Sequence, residues 1–365
     1  MQRLRAAVIG ASFARTVVAP GLMRHPGFEV LGIAGRSEAS AQKAAAELGI
    51  PRGHGSWERM LDEVRPDLVT IVTPVDLHHP MMMAALERGS HVLCEKPTAM
   101  NRFQAAAMRD RAAEKGRVAA INHEFRFFPA RRLALDLVRA GAIGEPRRGE
   151  ILGRYAIWAL PASRGMSWLS ERARGGGILG ALGSHHTDCL RLFFGEPRSA
   201  LATVRVDQPR RGPTPTAPEA GIATADDACT IQYEFDGGAT GLVDLRACAP
   251  YRWERFEIHG SEATLRWDET GYRLWRIVAQ GEPEELAIPE ELRLTPREGD
   301  PALAAPFAVL IDRLYRSITG GGPMEPSFDD AVAVQSALDA ARLSSEAGRR
   351  VAVEIPSSTL AIVRG

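Results

Sequence analysis

The sequence predicts two joined folds: an α/β domain on a doubly wound parallel sheet over residues 1–124, and an α+β domain with an open, mainly antiparallel sheet and helices over residues 125–365. Three observations lead there. Short apolar runs alternate with helix-length segments from Leu4 to Ile121, the rhythm of a parallel sheet with helices on both faces. From Ala228 to Val278, strand-like runs succeed one another with no helix between them, which calls for antiparallel pairing. A chain of 365 residues is also long enough for two cores.

Leu4 to Ile9 reads as a buried strand ending at Gly10, with a helical stretch behind it to about Arg24. Glu29 to Ala34 is a second strand, closed by Gly35-Arg36-Ser37, and Ala39 to Leu48 is an alanine-rich helix. A helix from Trp57 to Glu63 leads to the strand Leu68 to Val72, which Thr73-Pro74 breaks. Met81 to Arg88 reads as a helix with Gly89 past its end, and Met81-Met82-Met83 fill the space between helix and sheet. His91 to Cys94 is the next strand, Arg102 to Lys115 the next helix, and Val118 to Ile121 the last strand of the domain. In the second domain, Phe128 to Ala140 reads as a helix ended by Gly141. Ala228–Phe235, Thr240–Cys248, Arg255–His259, Ala263–Trp267 and Arg273–Val278 read as strands, with Asp236-Gly237-Gly238 as the hairpin turn between the first two. Gln208 to Ala225, rich in Pro, Thr, Gly and Ala, reads as a mobile loop. Ala302 to Ile318 and Asp329 to Ala347 are late helices, the second capped by Ser327 with Asp330 and ended by Gly348.

Composition narrows the function classes. Lys+Arg equals Asp+Glu at 45 each, so no electrostatic case exists for nucleic acid or an anionic membrane surface. No apolar run reaches the ~18 residues of a membrane helix, and Met1 to Arg5 lead into a strand rather than a signal peptide's apolar region. Cys94, Cys189, Cys229 and Cys248 have no paired spacing, which predicts reduced thiols without a disulfide framework or a metal site, in a cytoplasmic protein.

The chemistry concentrates in two stretches. In His91-Val92-Leu93-Cys94-Glu95-Lys96-Pro97, a strand delivers a Glu-Lys pair and stops at a proline, which cannot donate to a ladder. Ligands of open parallel sheets bind at the carboxyl ends of strands, where a lysine beside a carboxylate could exchange a proton with a substrate hydroxyl. A surface ion pair before a loop is the plainer alternative. In Gly175-Gly176-Gly177 through Gly183-Ser184-His185 and Asp188, glycines let backbone pass close to a ligand or another segment. His185 and Asp188, three apart, share a helical face, so the acid could fix the tautomer of a proton-accepting imidazole. Gly10-Ala11-Ser12-Phe13-Ala14-Arg15 is a reduced dinucleotide fingerprint. Gly10 keeps the tight turn, Ser12 replaces the second glycine, and the helix N-terminus offers N–H groups to a pyrophosphate. At the second strand's end, Arg36 with Ser37 favours the 2′-phosphate of NADP, while Glu38 could serve the ribose of NAD. Trp158 and Trp168 flank Arg164 and could wall a sugar ring, though aromatic residues more often pack a core. Arg126, just past the last strand, could hold a substrate or an ion pair.

Across nearly its whole length the chain resembles the Gfo/Idh/MocA oxidoreductases. The resemblance rests on Thr73-Pro74 with His78, on Ala85-Leu86 with Gly89 and the His91 to Pro97 segment, and on Gly175 to Asp188. It implies an N-terminal Rossmann domain binding NAD or NADP and a C-terminal sheet used for homodimer or homotetramer contacts. The implied substrates are sugars, cyclitols or related polyols and ketones, with Lys96 and His185 as the catalytic pair. The cofactor contacts implied at the first turn are Gly10, Ser12 and Phe13, followed by Arg36 and Ser37, then Thr73, Pro74 and His78. Glu95, Lys96 and Asn122 complete them. Lys96, Arg126, Trp168, His185 and Asp188 are implied to meet the substrate, and the bond before Pro97 is often cis in the family. Two features depart from the pattern: the glycine loop is short, and Ala181 stands where many sugar dehydrogenases carry an aspartate. With Arg36 and Ser37 at the end of the second strand, NADP is the expected cofactor, with NAD second. Two other readings stay open: a dinucleotide-binding regulatory or scaffold protein without turnover, and a glycoside-processing enzyme that recycles a bound cofactor.

Overall fold

The computed structural model describes residues 3–159, 165–212 and 220–358, and every count below is of these residues. They form two compact units. One comprises Met1–Glu124, Thr295–Val332 and the stretch from Pro356; the other comprises Phe125–Leu294 and Ala333–Ile355.

The first unit is built on six strands: β1 (Leu4–Ile9), β2 (Phe28–Ala34), β3 (Gly53–His54), β4 (Leu68–Ile71), β5 (His91–Cys94) and β6 (Ala119–Ile121). They lie in the order β3-β2-β1-β4-β5-β6 and every pairing is parallel. This is the doubly wound order of the Rossmann fold, whose direction reverses between β1 and β4. The strands read as unbroken apolar runs because both faces are covered: Ala6, Ala7 and Val8 of β1 and all of β4 are buried. Helices α1 (Val18–Arg24), α2 (Glu38–Leu48), α3 (Trp57–Val64), α4 (His78–Glu87) and α5 (Arg102–Glu114) connect them. Met81 and Met82 join the core between helix and sheet, as their position on the apolar face suggests.

Three local features differ from expectation for physical reasons. The edge strand β3 is two residues long and contains a glycine, so no apolar run announces it; it pairs Ile33 with Gly53 and Ala34 with His54. The helix after Gly10 starts late, at Val18, behind a 3-10 turn over Phe13–Arg15. Helix α4 begins at His78, ahead of the expected Met81, because Pro80 sits in its first turn, where N–H groups have no helical acceptor. The helix Ala304–Gly320 packs within this unit: a β-carbon on Gly21 would lie 2.6 Å from the Phe307 ring.

The second unit contains α6 (Pro129–Arg139), β7 (Pro146–Ala156), a π-helical turn (Leu179–Gly183) running into α7 (Ser184–Phe194), and β8 (Pro197–Arg205). Then come β9 (Arg210–Arg211), β10 (Gly221–Ile222), β11 (Ala228–Phe235), β12 (Thr240–Arg246), β13 (Cys248–Gly260), β14 (Thr264–Trp267), β15 (Leu274–Ile277), β16 (Glu284–Leu286) and β17 (Val351–Ala352). Nine of these strands form one sheet, ordered β16-β15-β14-β13-β7-β12-β11-β8-β17. Only the β7–β12 pair is parallel, so the sheet is mixed and mainly antiparallel. Its inner face carries Ile151, Tyr233, Phe256 and Trp267, packed with Leu190 of α7 and with Leu338 of the long helix Phe328–Ala347.

Strand β7 eluded the sequence reading because two of its inward positions are glycines. Gly149 leaves room for α7, since a β-carbon there would lie 2.4 Å from Leu190, and Gly153 would collide with the Tyr155 ring. Strand β8 is disguised by Ser199, Ala200 and Ala202, which carry little apolar signal. The expected mobile loop over Gln208 to Ala225 needs correcting where it is described. β9 and β10 pair across it, and the Arg211 side chain, 1% exposed, binds Asp227 at 3.0 Å. Residues 213–219 of that stretch, and Arg164, lie outside the described residues.

Candidate active site

In the first unit, the candidate groups stand at the carboxyl ends of the parallel strands. Gly10 ends β1 with φ +119°, and a β-carbon there would come within 2.1 Å of the Val72 carbonyl oxygen. Only glycine fits that turn. Ser12 and Phe13 follow it and are exposed, Phe13 at 48%. Beyond β2, Arg36 is exposed, and no carboxylate among the described residues pairs with it. Ser37 is the N-cap of α2: its hydroxyl accepts from Ser40 N–H at 3.3 Å, and Ser40 returns the bond at 3.2 Å. Glu38 is engaged elsewhere, accepting from Gln42 at 3.1 Å and from Gly55 N–H at 2.7 Å.

At the end of β5, Glu95 is 8% exposed. Its carboxylate accepts from Asn122 Nδ2 at 2.5 Å and from the Lys96 N–H at 3.3 Å. Burial pushes the Glu95 carboxyl above the ordinary glutamate range, while the adjacent Lys96 charge and the Asn122 bond pull the other way. Asn122, 3% exposed, turns its Oδ1 into a buried spot where no described residue donates to it. Lys96 is half-buried, and the Lys96–Pro97 bond is cis. Thr73 and Pro74 are half-buried just past β4.

Sequence resemblance put His78 among the cofactor contacts; its ring is 1% exposed and both nitrogens face the protein's own carbonyls. Burial lowers its pKa, with the carbonyls of Thr73, Thr98 and Pro97 opposing that shift.

In the second unit, the glycine run is shaped by neighbouring chain. A β-carbon on Gly176 would lie 2.5 Å from the Trp168 carbonyl oxygen, and one on Gly177 (φ +113°) 2.3 Å from Asp226 Oδ1. Asp226, 4% exposed, accepts from Leu179 N–H at 2.7 Å and binds Arg342 at 3.2 Å. Burial raises its pKa, and Arg342 counters it. Asp226 thus pins the turn that carries His185. The His185 ring, 2% exposed, lies flat against Phe125, with 3.8 Å between centroids and 8° between planes. Asp188 holds Arg126 with both oxygens, at 2.6 and 2.5 Å, and Arg191 at 3.2 Å. Arg131, 7% exposed, lies 5.0 Å over the Phe125 ring and 5.0 Å over Phe256. Trp168 is half-buried, whereas Trp158, 2% exposed, belongs to the core.

The structure therefore joins Glu95 to Asn122, and Arg126 to Asp188. Lys96 belongs to the first unit and His185 to the second. Phe125, Arg131 and Asp226 were not legible as site residues. Phe125 meets His185, Arg131 meets Phe256 and Asp226 meets Arg342, contacts distant in sequence that leave no local signal. Glu150, Glu257 and His259 stand close enough to share an ion, but Arg255 and Arg266 each bind Glu257 at 2.5 Å, which makes the cluster an ion-pair network. No described helix is long and apolar enough to cross a membrane.

The first unit suits a dinucleotide: the Gly10 turn packs so close to Val72 that only glycine makes it, as the tight first turn of a dinucleotide-binding fold demands, and no described residue donates to the buried Asn122 Oδ1. Comparison with known proteins agrees. A model of the oxidoreductase family NAD-binding Rossmann fold matches residues 4–123, and one of that family's C-terminal alpha/beta domain matches residues 136–353. An uncharacterised oxidoreductase of Synechocystis sp. is 27% identical over 358 residues, covering 96% of each chain. Levoglucosan dehydrogenase of Pseudarthrobacter phenanthrenivorans is 28% identical, covering 87% of each. A solved levoglucosan dehydrogenase in complex with NADH and levoglucosan superposes with a TM-score of 0.86 at 25% identity, over 96% of this chain and 99% of that one.

Proposed function

The chain belongs to the Gfo/Idh/MocA family of NAD(P)-binding oxidoreductases, and from that premise we propose that it transfers a hydride between NADP(H) and a secondary alcohol or ketone of a sugar, cyclitol or related polyol. The observation that carries the reading is the strand end at β5. A half-buried lysine stands there beside a buried glutamate that Asn122 fixes from the next strand. The sugar named for the levoglucosan-binding relative supports the substrate class.

When bound, the nicotinamide supplies hydride acceptance and donation. Gly10, Ser12 and Phe13 would hold the pyrophosphate side, Asn122 the nicotinamide side, and Arg36 the 2′-phosphate. Arg36 supports NADP over NAD because Glu38, the one acid at that strand end, is already committed to Gln42 and Gly55. Lys96 takes the proton from the substrate hydroxyl during oxidation and returns it during reduction, and His185 is the second proton-handling residue of the proposal. Glu95 holds the lysine's backbone through its N–H.

The test is hydride transfer with a panel of sugars and cyclitols, read from the absorbance of the reduced nicotinamide. Turnover of at least one of them, lost in Lys96→Ala, supports the reading; unchanged turnover in that variant removes the assigned mechanism. Ala181, where many sugar dehydrogenases of the family carry an aspartate, favours a second reading: dinucleotide binding without turnover. Thermal-shift titration with NADP, NADPH, NAD and NADH separates the two when set beside the substrate panel, because binding to the folded state raises its melting point whether or not turnover follows. Cofactor retained through purification would instead indicate a recycled, bound cofactor.

A further inference from the structure

We infer that His78 is a positioning residue for Lys96, tying the backbone just beyond the lysine to the end of the neighbouring strand. This rests on the reading of Lys96 as the proton carrier.

The argument begins in the β4–β5 ladder. Ile71 pairs with Cys94, and the last ladder bond runs from Glu95 N–H to the Ile71 carbonyl at 2.9 Å. Bonds in a parallel pair recur every second residue. The next one would run from residue 97 to the carbonyl of residue 73. Residue 97 is proline and has no N–H, so the ladder cannot supply that bond. The Thr73 carbonyl oxygen is met instead by His78 Nε2, at 2.9 Å.

The other side of the same ring faces the continuation of β5. His78 Nδ1 lies 3.1 Å from the Pro97 carbonyl oxygen and 3.2 Å from that of Thr98. One buried imidazole thus lies between the two loops that leave adjacent strands, at the residue where proline interrupts their pairing; neutral, it carries one N–H, which donates to one of the two sides while its other nitrogen is packed against the opposite carbonyl. Buried carbonyls of this kind need a partner. Pro97 and Thr98 follow Lys96 directly, so fixing their carbonyls fixes the backbone from which the lysine projects. A displacement of ~1 Å at a reacting group can cost about 100-fold in rate.

His78→Leu removes the tie; His78→Asn keeps an amide nitrogen near the Nδ1 position, and His78→Gln keeps one near Nε2. We expect His78→Leu to exchange the amide hydrogens of residues 95–100 faster than the native protein while α4 stays protected. Its kcat should fall by about 10- to 100-fold, with the KM for substrate and the Kd for NADPH within about twofold of native. His78→Asn should retain more activity than His78→Leu and exchange residues 95–100 more slowly; if His78→Leu does not fold, His78→Gln, which loses the contact to Pro97 and Thr98, is the test protein. Unchanged exchange at 95–100 in folded His78→Leu, or in His78→Gln in its place, would overturn the inference whatever the activity. So would faster exchange with native kcat. A weakened NADPH Kd matching the loss of kcat would make His78 a cofactor contact, which also overturns it. Exchange is read without catalysis, so a Lys96→Ala protein that still turns over would refute the proton assignment separately, leaving the tie itself to be judged by exchange.

Discussion

Phe125 and His185 form a parallel stack, 3.8 Å between ring centroids and 8° from coplanar. The two residues are sixty positions apart, and the contact sets the plane in which the imidazole lies. An aromatic pair contributes about 0.5–1.5 kcal/mol beyond its buried area. Phe125→Leu should lower the melting temperature by a few degrees and lower kcat, whereas Phe125→Tyr, which keeps the ring, should restore both. Steady-state kinetics alongside thermal melts check this; equal kcat in the two variants would show that the stack does not orient His185.

Asp188 is the shared counter-ion of Arg126 and Arg191, with side-chain exposure of 2% against 9% and 7%. Removing one partner of a buried pair costs about 3–5 kcal/mol because the remaining charge is left unpaired. Asp188→Ala takes the shared acid from both guanidinium groups at once, although Arg191 keeps Glu196 at 2.7 Å. Arg126→Ala leaves Asp188 still bound to Arg191. The urea midpoint should therefore drop further for Asp188→Ala than for Arg126→Ala, and the opposite order would refute the shared-anchor arrangement.

Glu95 makes stability depend on pH in a stated direction. Its folded-state carboxyl is raised above the ordinary value of 4.5 by burial. A raised acid contributes stability below its unfolded pKa and loses it as pH rises through its folded pKa. Glu95→Gln keeps an acceptor for Asn122 and removes the buried charge. The variant should melt higher than the native protein at neutral pH, and the two curves should converge below about pH 4, under the ordinary glutamate pKa. A difference that stays constant between acid and neutral pH would contradict the raised carboxyl.

Arg36 should decide between the two cofactors. A charge-assisted hydrogen bond contributes about 1.5–3 kcal/mol, so Arg36→Ala should weaken NADPH binding by about 10- to 100-fold. NADH binding should change little. Fluorescence titration with each cofactor measures both constants, and parallel weakening of the two would remove Arg36 from the 2′-phosphate.

Gly10→Ala should abolish dinucleotide binding. The new β-carbon would sit 2.1 Å from the Val72 oxygen at φ +119°, and a non-glycine residue held in a sparsely populated backbone region costs about 1–3 kcal/mol before that overlap is counted. A variant that folds and binds NADPH with native affinity would show that the turn can relax away from β4.

Much of the fold could be read before any coordinates. β1, β4 and β5 are apolar runs bounded by Gly10, Thr73-Pro74 and Pro97, so their periodicity and punctuation are local properties. Ser327 and Asp330 announced the start of the last long helix, and the Asp330 carboxylate indeed accepts from Ser327 N–H at 2.9 Å. Strand β7 was hidden because its inward positions are partly glycine, and glycine there answers to α7, a helix some forty residues later. The candidate site divides along the same line. Glu95, Lys96 and His185 stood out through their motifs. Phe125, Arg131 and Asp226 did not, because a phenylalanine or an arginine in a helix-forming context has no local mark of what it will touch.

The sequence by itself determined the alternation of strands and helices, the glycine at the first turn, and the placement of a lysine where a strand must stop. These follow from backbone sterics and from side chains within a few residues of one another. Only the tertiary structure decided that the buried His78 ring faces backbone carbonyls and that Asp188 anchors two arginines. It also decided that an aromatic ring braces the imidazole of His185. Each of those outcomes depends on which burial and hydrogen-bonding partners the fold brings from elsewhere in the chain. A side chain's partners, and not its identity alone, determine whether its polar atoms are left to meet a ligand.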